Sequence, residues 1–366
     1  MDGEKLAEIF RSASDEILML ICEAMGSVTQ DDDYVSVFIA SNDFKAKADA
    51  IMRRARELGN AEIERMFEDM TKELESGVAE FFDYRGIEQV ETAAKSALVA
   101  NGVKRAKKSL DRLTSVTGIR IGDKVTTMRS AYVEAVSRAV TATNIGTDTF
   151  TAVVKKTVNQ LQASGVKSAA VAEFASGRTQ EVYSVVRRDV MAAFSDTVYQ
   201  YNQELGNEFG ADGWEVSAHV LCAQDHLEFQ GKQYTKDEMD DIQSSLDRKL
   251  VEGPNCNHAL RPIVMGISKP AYSREALDEM RRKSEEIIAV PMESGKVRNM
   301  SRYDASQYMR SLETRARRYA TRSKLEKATG LDGKASDKLA MAARKAAREV
   351  AAKADLTYRY DRTRAN

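Results

Sequence analysis

The sequence predicts a mostly α-helical protein with a small α+β module: a long helical N-terminal body, a short strand-loop-strand module near 210–270, and a basic helical C-terminal tail. Three observations predict it. Apolar residues recur at three- and four-residue spacing over long segments, the pattern of amphipathic helices. The first 253 residues contain no proline, the residue that interrupts helices most strongly. The window Trp214–Tyr272 then gathers the only tryptophan, all three histidines, two of the three cysteines and three of the four prolines. The expected domains are a helical body over 1–209, a Cys/His-containing α+β module over 210–272 and a basic helical region over 273–366.

Taken in order, Leu6, Ile9, Phe10, Ala13, Ile17, Leu18 and Ile21 define a first helix ending near Gly26, with Cys22 packed in its apolar run. Asp31-Asp32-Asp33 reads as an exposed acidic loop, because it lacks the spaced ligands and glycine of a calcium loop. Ser41-Asn42-Asp43 offers N-cap chemistry for a second helix over about 44–82, bent near Gly59-Asn60. A third helix follows Gly86 to about Leu113, carrying the basic run Lys104, Arg105, Lys107 and Lys108 as a solvated face. Thr117–Gly122 reads as a turn or short extended link, followed by helices over about 124–143 and 148–163. A long helix over about 180–209 places Val182, Val185, Val186, Val190 and Phe194 on one core face.

At Gly210 the period changes. Trp214–Cys222 alternates as a half-buried strand does, Gly231–Thr235 is a second extended piece, 236–250 is helical and Arg261–Ile267 reads as a third strand. Helices resume over about 273–288, 301–329 and 336–354.

Composition narrows the function. Formal net charge is −1 and 30% of residues are charged, so the chain as a whole has no electrostatic pull toward nucleic acid. From Lys296 onward, however, 19 Lys and Arg face 8 Asp and Glu, a net of +11, which leaves −12 on the first 295 residues. A basic tail on an acidic body suits an acidic partner, the body itself or DNA phosphates. Candidate phosphate contacts are Arg315, Arg317, Arg318, Arg322, Lys324, Arg344, Lys345 and Arg348. An odd cysteine count argues for a reducing compartment. No run of about 18 apolar residues predicts a membrane span, and the start lacks a signal-peptide pattern.

Within the central window, Cys222-x3-His226 and Cys256-x-His258 supply four soft ligands, the number a tetrahedral zinc site takes, with His219 nearby. The Cys-x-His spacing departs from the usual knuckle. The other reading makes these histidines, with Asn255, Asn257 and Gln230, hydrogen-bond clamps of an irregular loop. A metal-dependent hydrolase or a zinc-stabilised nucleic-acid-binding module centred on His219, His226, Cys256 and His258 stands as the alternative function. No nucleophile elbow, His-Glu-x-x-His or phosphate-cradling loop surrounds them, so no catalytic residue is assigned and no cofactor beyond zinc is expected.

The order of motifs supplies a further signal. Glu215–His219, Asp225-His226, Gln230-Gly231-Lys232, Asn255–His258, Pro262-Ile263, Gly266-Ile267-Ser268 and the downstream Tyr303–Glu313 segment together resemble the phage minor capsid protein 2 family, related to Mu-type head morphogenesis proteins. Cys222 and Asn257 depart from that pattern. The resemblance covers about 177–316. It implies a non-enzymatic structural protein of the virion, assembled in the host cytoplasm and placed in the capsid interior or at the portal vertex. The implied partners are the portal protein and other head proteins; packaged double-stranded DNA, with a part in DNA packaging or ejection, is the partner that the basic tail adds. Module positions implied to matter are Asp225, Gln230, Gly231, Asn255, Pro262 and Gly266.

Overall fold

A computed structural model describes residues 3–85, 93–121, 124–168, 180–247, 249–251, 256 and 258–365. Ten α-helices are found among them, with short antiparallel strands between. The first six helices are α1 (Glu4–Gly26), α2 (Tyr34–Arg85), α3 (Ala93–Ser115), α4 (Met128–Ile145), α5 (Thr147–Ser164) and α6 (Val182–Glu208). They enclose one large apolar core. Leu6, Phe10, Ile17, Leu18 and Ile21 of α1 meet Phe44, Ile63 and Phe67 of α2, Leu110 and Leu113 of α3, and Val182, Val186 and Val190 of α6. Each such side chain gains about 1.5–3 kcal/mol from leaving water, and that burial fixes where the helices lie. Cys22 is fully buried in this core, and burial pushes its thiol up to about 12, so it packs as an apolar residue.

The second helix begins ten residues before its expected start. Asp33, not Ser41, supplies the cap: its Oδ1 accepts from Ser36 N at 2.8 Å, while Ser36 Oγ accepts from Asp33 N at 3.1 Å. Asp32 Oδ2 accepts from Thr29 N at 2.8 Å, so the acidic run is a turn that opens a helix. The expected link at 117–122 is instead a strand, β1 (Thr117–Ile121), at the centre of a sheet ordered β2-β1-β3 with β2 (Lys124–Thr127) and β3 (Val166–Ser168). The fourth helix consequently starts at Met128, capped by Thr127.

The middle sheet is ordered β5-β4-β6, built from β4 (Gly213–Val216), β5 (Gln233–Thr235) and β6 (Leu260–Ile263). All three strands are shorter than the sequence pattern suggests, and the chain after Val216 leaves the sheet in turns. Between β5 and β6 lies α7 (Lys236–Ser245), opened by a capping box of Thr235 and Glu238. Trp214, Val216, Met239, Leu250, Val251 and Leu260 form a second small core. Pro262 is tolerated in β6 because that strand is an edge.

Beyond it, α8 (Arg274–Glu285) leads into a hairpin of β7 (Ile287–Pro291) and β8 (Val297–Ser301), then α9 (Arg302–Ala328) and α10 (Lys334–Ala354). The helix expected over 273–288 ends at Glu285, and its last two expected residues belong to β7 instead. The last two helices pair through small residues, Ala305, Ala316, Ala343, Ala347 and Ala351, with Leu312 and Val350 between them. The ninth helix reaches further: Leu325 enters the first core, and Thr321 Oγ1 donates to Asp15 Oδ2 at 3.1 Å. Its end abuts the first helix so closely that a Cβ on Gly26 would stand 2.8 Å from Ala328 O. No helix is long and apolar enough to cross a membrane among the described residues.

Candidate functional site

The turns after β4 and the segment before β6 carry the cysteines and histidines. Ser217 ties the two segments: its N donates to Ala259 O at 2.9 Å and its Oγ accepts from Ala259 N at 2.8 Å. This pairing brings His219 and Cys222 from one side, and His226 from the following turn, against Cys256 and His258 on the other. All five expected residues meet, 30 or more positions of separation notwithstanding.

His258 is at the centre. Its Nδ1 lies 3.3 Å from Cys256 Sγ and its Nε2 3.5 Å from Cys222 Sγ. The Cys256 sulfur also faces His226 Nδ1 at 3.6 Å. Ring centroids of His219 and His226 stand 4.6 and 5.5 Å from that of His258. Two three-residue groups share His258 and have ligand atoms close enough for one ion: His219, Cys222 and His258, and His226, Cys256 and His258. Burial, reinforced by repulsion from His219 and His226, pushes the His258 imidazolium down to about 3. The ring is therefore neutral near pH 7, with a nitrogen lone pair in place of a second proton.

The two sulfurs are held differently. Cys222 Sγ donates to Ala223 O at 3.3 Å, which requires the protonated thiol. Cys256 Sγ accepts from Val251 N at 3.2 Å, an arrangement that favours negative charge on sulfur. The backbone is strained at both places. Leu221 and Val251 have φ of 62° and 68°, in the left-handed region, which costs residues with a Cβ about 1–3 kcal/mol each. Leu221 N is secured by Ser284 Oγ of α8 at 2.9 Å.

Other motif positions shape the turns. Gln230 is buried and its Oε1 accepts from His219 N at 3.1 Å, which matches the clamp expected of it. Gly231 has φ 71°, donates to Val216 O at 2.8 Å, and lies so near Leu277 that a Cβ would stand 2.2 Å from Cδ2. Gly266 also has positive φ, 74°. Asp225 places Oδ2 3.9 Å from His226 Nε2. Pro262 packs against Gly206 of α6. Asn255 and Asn257 lie outside the described residues. Glu215 opens the Glu215–His219 run of the resemblance but has no role assigned from the sequence: it is buried, and its Oε2 accepts from Ala271 N at 2.9 Å and Gln233 Nε2 at 3.1 Å. A charge on a strand between the apolar Trp214 and Val216 is the signal of that role.

The tail cations divide by environment. Arg317 donates to Arg362 O at 3.1 Å and burial lowers its pKa. Arg322 bonds Ser336 Oγ at 2.8 Å and Arg344 donates to Thr363 O at 2.9 Å, so both brace the C-terminal pair. Arg315 pairs with Glu293 at 2.6 Å, Arg318 reaches Glu181 at 3.6 Å and Lys324 donates to Ala365 O at 3.3 Å. Arg348 lies over the Tyr358 ring. Lys345 is three-quarters exposed, 3.8 Å from Glu349. Part of the basic tail thus docks on the acidic body, as Arg364 does on Glu8 at 3.4 Å.

What fold and site define together is a helical chain whose chemically distinctive residues hold two turns of one small module to each other. The family model for phage minor capsid protein 2 matches residues 3–355, nearly the whole chain. The chain therefore belongs to the phage minor capsid protein 2 family and is a structural protein of the phage head. No curated protein and no solved structure matches it.

Proposed function

We propose that this chain is a minor head protein that seats on the portal, at the portal vertex or on the adjoining inner capsid, during head assembly, and that it works by protein–protein recognition without catalysis. One observation carries the reading beyond the family: an apolar ridge on the first turns of α2 that, among the described residues, stays largely exposed, with only Arg129 lying over the Phe38 ring. Tyr34, Val35 and Ile39 are each at least 60% exposed, with Phe38 close behind. Beside them runs a groove of about 940 Å³ between α2, α4 and α5, where Phe38, Val133 and Val153 line the wall together with the charged Arg129, Arg138 and Lys156. Contiguous apolar surface of this kind on a soluble chain marks a contact surface, and a structural head protein has other head proteins to contact. The double variant Phe38→Glu/Ile39→Glu should fold with a stability change within about 0.5 kcal/mol, as exposed positions do. It should fail to co-sediment with the portal protein and be missing from assembled heads. Normal incorporation of that variant would remove the ridge from the portal contact.

A second surface supports contact with packaged DNA. Lys334, Lys338, Lys345 and Arg348 are all exposed on α10 and recur at helical spacing on one side. Two of them make long, exposed ion pairs, Lys334 with Asp332 at 4.0 Å and Lys345 with Glu349 at 3.8 Å, of a kind that solvent screens and that contribute little. Such a row suits phosphates and reads no bases. Binding of the full chain to double-stranded DNA should weaken as salt rises, and Lys345→Glu/Arg348→Glu should flatten the log–log salt slope by about 2. Affinity independent of salt would exclude the phosphate mechanism.

A further inference from the structure

We propose that His226, Cys256 and His258 bind a single zinc ion that staples the turn after β4 to the segment before β6. The geometry carries this first. Sulfur and nitrogen ligands at ordinary zinc distances, about 2.3 and 2.0–2.1 Å, stand about 3.5 Å apart on a tetrahedron. Cys256 Sγ lies 3.6 Å from His226 Nδ1 and 3.3 Å from His258 Nδ1. Two edges of one face of such a tetrahedron are therefore already set, and the ligand atoms of all three residues lie within 4.8 Å of one another. One thiolate with two imidazoles is a borderline-soft set, which zinc accepts and magnesium or calcium does not.

The choice between the two groups that share His258 follows from the sulfurs. A metal-bound thiolate repels a carbonyl oxygen and welcomes an N–H. Cys222 has the carbonyl of Ala223, while Cys256 has the N–H of Val251. That N–H points at the sulfur because Val251 holds a left-handed backbone conformation that a β-branched side chain adopts only under constraint. One outer group lies nearby. Asp225 places its Oδ2 3.9 Å from His226 Nε2, beyond hydrogen-bond distance but on the side where a histidine ligand takes its carboxylate partner. His219 Nε2 is buried with no hydrogen-bond partner among the described residues, on a ring 4.6 Å from that of His258.

The test is metal content of the full chain purified without chelator. The expected result is about one zinc per chain, retained in Cys222→Ser and reduced below a tenth in Cys256→Ser and His226→Asn. Cobalt(II) loaded in place of zinc should give a thiolate-to-metal charge-transfer band that Cys256→Ser abolishes and Cys222→Ser keeps. Because Cys256→Ser could misfold, the wild-type chain supplies a second measurement: chelation should lower Tm and added zinc chloride should restore it. A wild-type chain that neither carries zinc nor gains stability from zinc chloride overturns the proposal. So do two ions per chain, undiminished zinc in Cys256→Ser, or loss of zinc in Cys222→Ser.

Discussion

Phe10→Ala is expected to destabilise the helical body by about 3–5 kcal/mol, the largest single loss among these variants. Phe10 is wholly buried on α1, and its ring lies within 3.1 Å of where a Cβ on Gly59 of α2 would stand. The first helix is enclosed by α2, α4 and α6 and touched by α9, so neighbours on several sides must hold their places when the ring is removed. Incomplete collapse leaves a cavity, and cavity volume adds to the lost transfer free energy. Denaturant midpoints of wild type, Phe10→Ala and the exposed control Tyr34→Ala check it. A loss under about 1 kcal/mol for Phe10→Ala would mean that the core around α1 repacks freely.

Gly102→Ala should destabilise by up to about 2 kcal/mol net, although helix propensity alone favours alanine over glycine by about 1 kcal/mol. The reason is the crossing of α3 and α6. A Cβ at position 102 would lie 2.2 Å from Thr197 Oγ1 and 2.7 Å from Phe67 Cε1. Both neighbours are buried, and Thr197 is fixed by its own bond to Ala193 O at 2.8 Å. Overpacking of that kind costs about 1–3 kcal/mol and outweighs the propensity gain, and Gly102→Val should lose more. Thr197→Ala removes the clashing hydroxyl, so the double variant Gly102→Ala/Thr197→Ala should recover most of the loss. A double-mutant cycle without positive coupling would show that the helices separate by another route.

Much of the helical framework was legible because burial leaves a periodic trace. The run from Leu6 to Ile21 predicts α1 to within two residues at its start, and the valines of 182–190 predict the core face of α6. Where burial is shared between elements the trace fades. Thr117–Ile121 is a five-residue strand with only three buried positions, too short to show a period of two against its neighbours. Ser41-Asn42-Asp43 looks like a cap but lies inside a helix, because a cap depends on which residue leaves the helical conformation, and Asp33 does so first.

The Cys/His cluster was legible as composition, and the proximity of Cys256 and His258 followed from their spacing. What the sequence does not encode locally is the convergence of the two segments. That depends on Ser217 pairing with Ala259 and on left-handed backbone at Leu221 and Val251, conformations for which neither residue type gives a signal. The tail cations show the same limit from the other side. Charge counting finds them all, but only packing separates Arg317, Arg322 and Arg344, which brace the C-terminal helices, from Lys345 on the open face.

The reach of α9 into the first core bears on how the chain is made. Leu325, Thr321 and the close approach of Gly26 to Ala328 join the opening helix to residues near the chain's end. During synthesis the first helix therefore emerges with one wall of its pocket still unmade, and it stays so until α9, about 300 residues later, has been translated. Completion of the body is then a late, long-range event, paying loop-closure entropy across some 300 residues. A ribosome-bound chain halted before α9 should expose apolar surface on α1, which makes that interval the one in which chaperone contact or early capture by a head partner matters most.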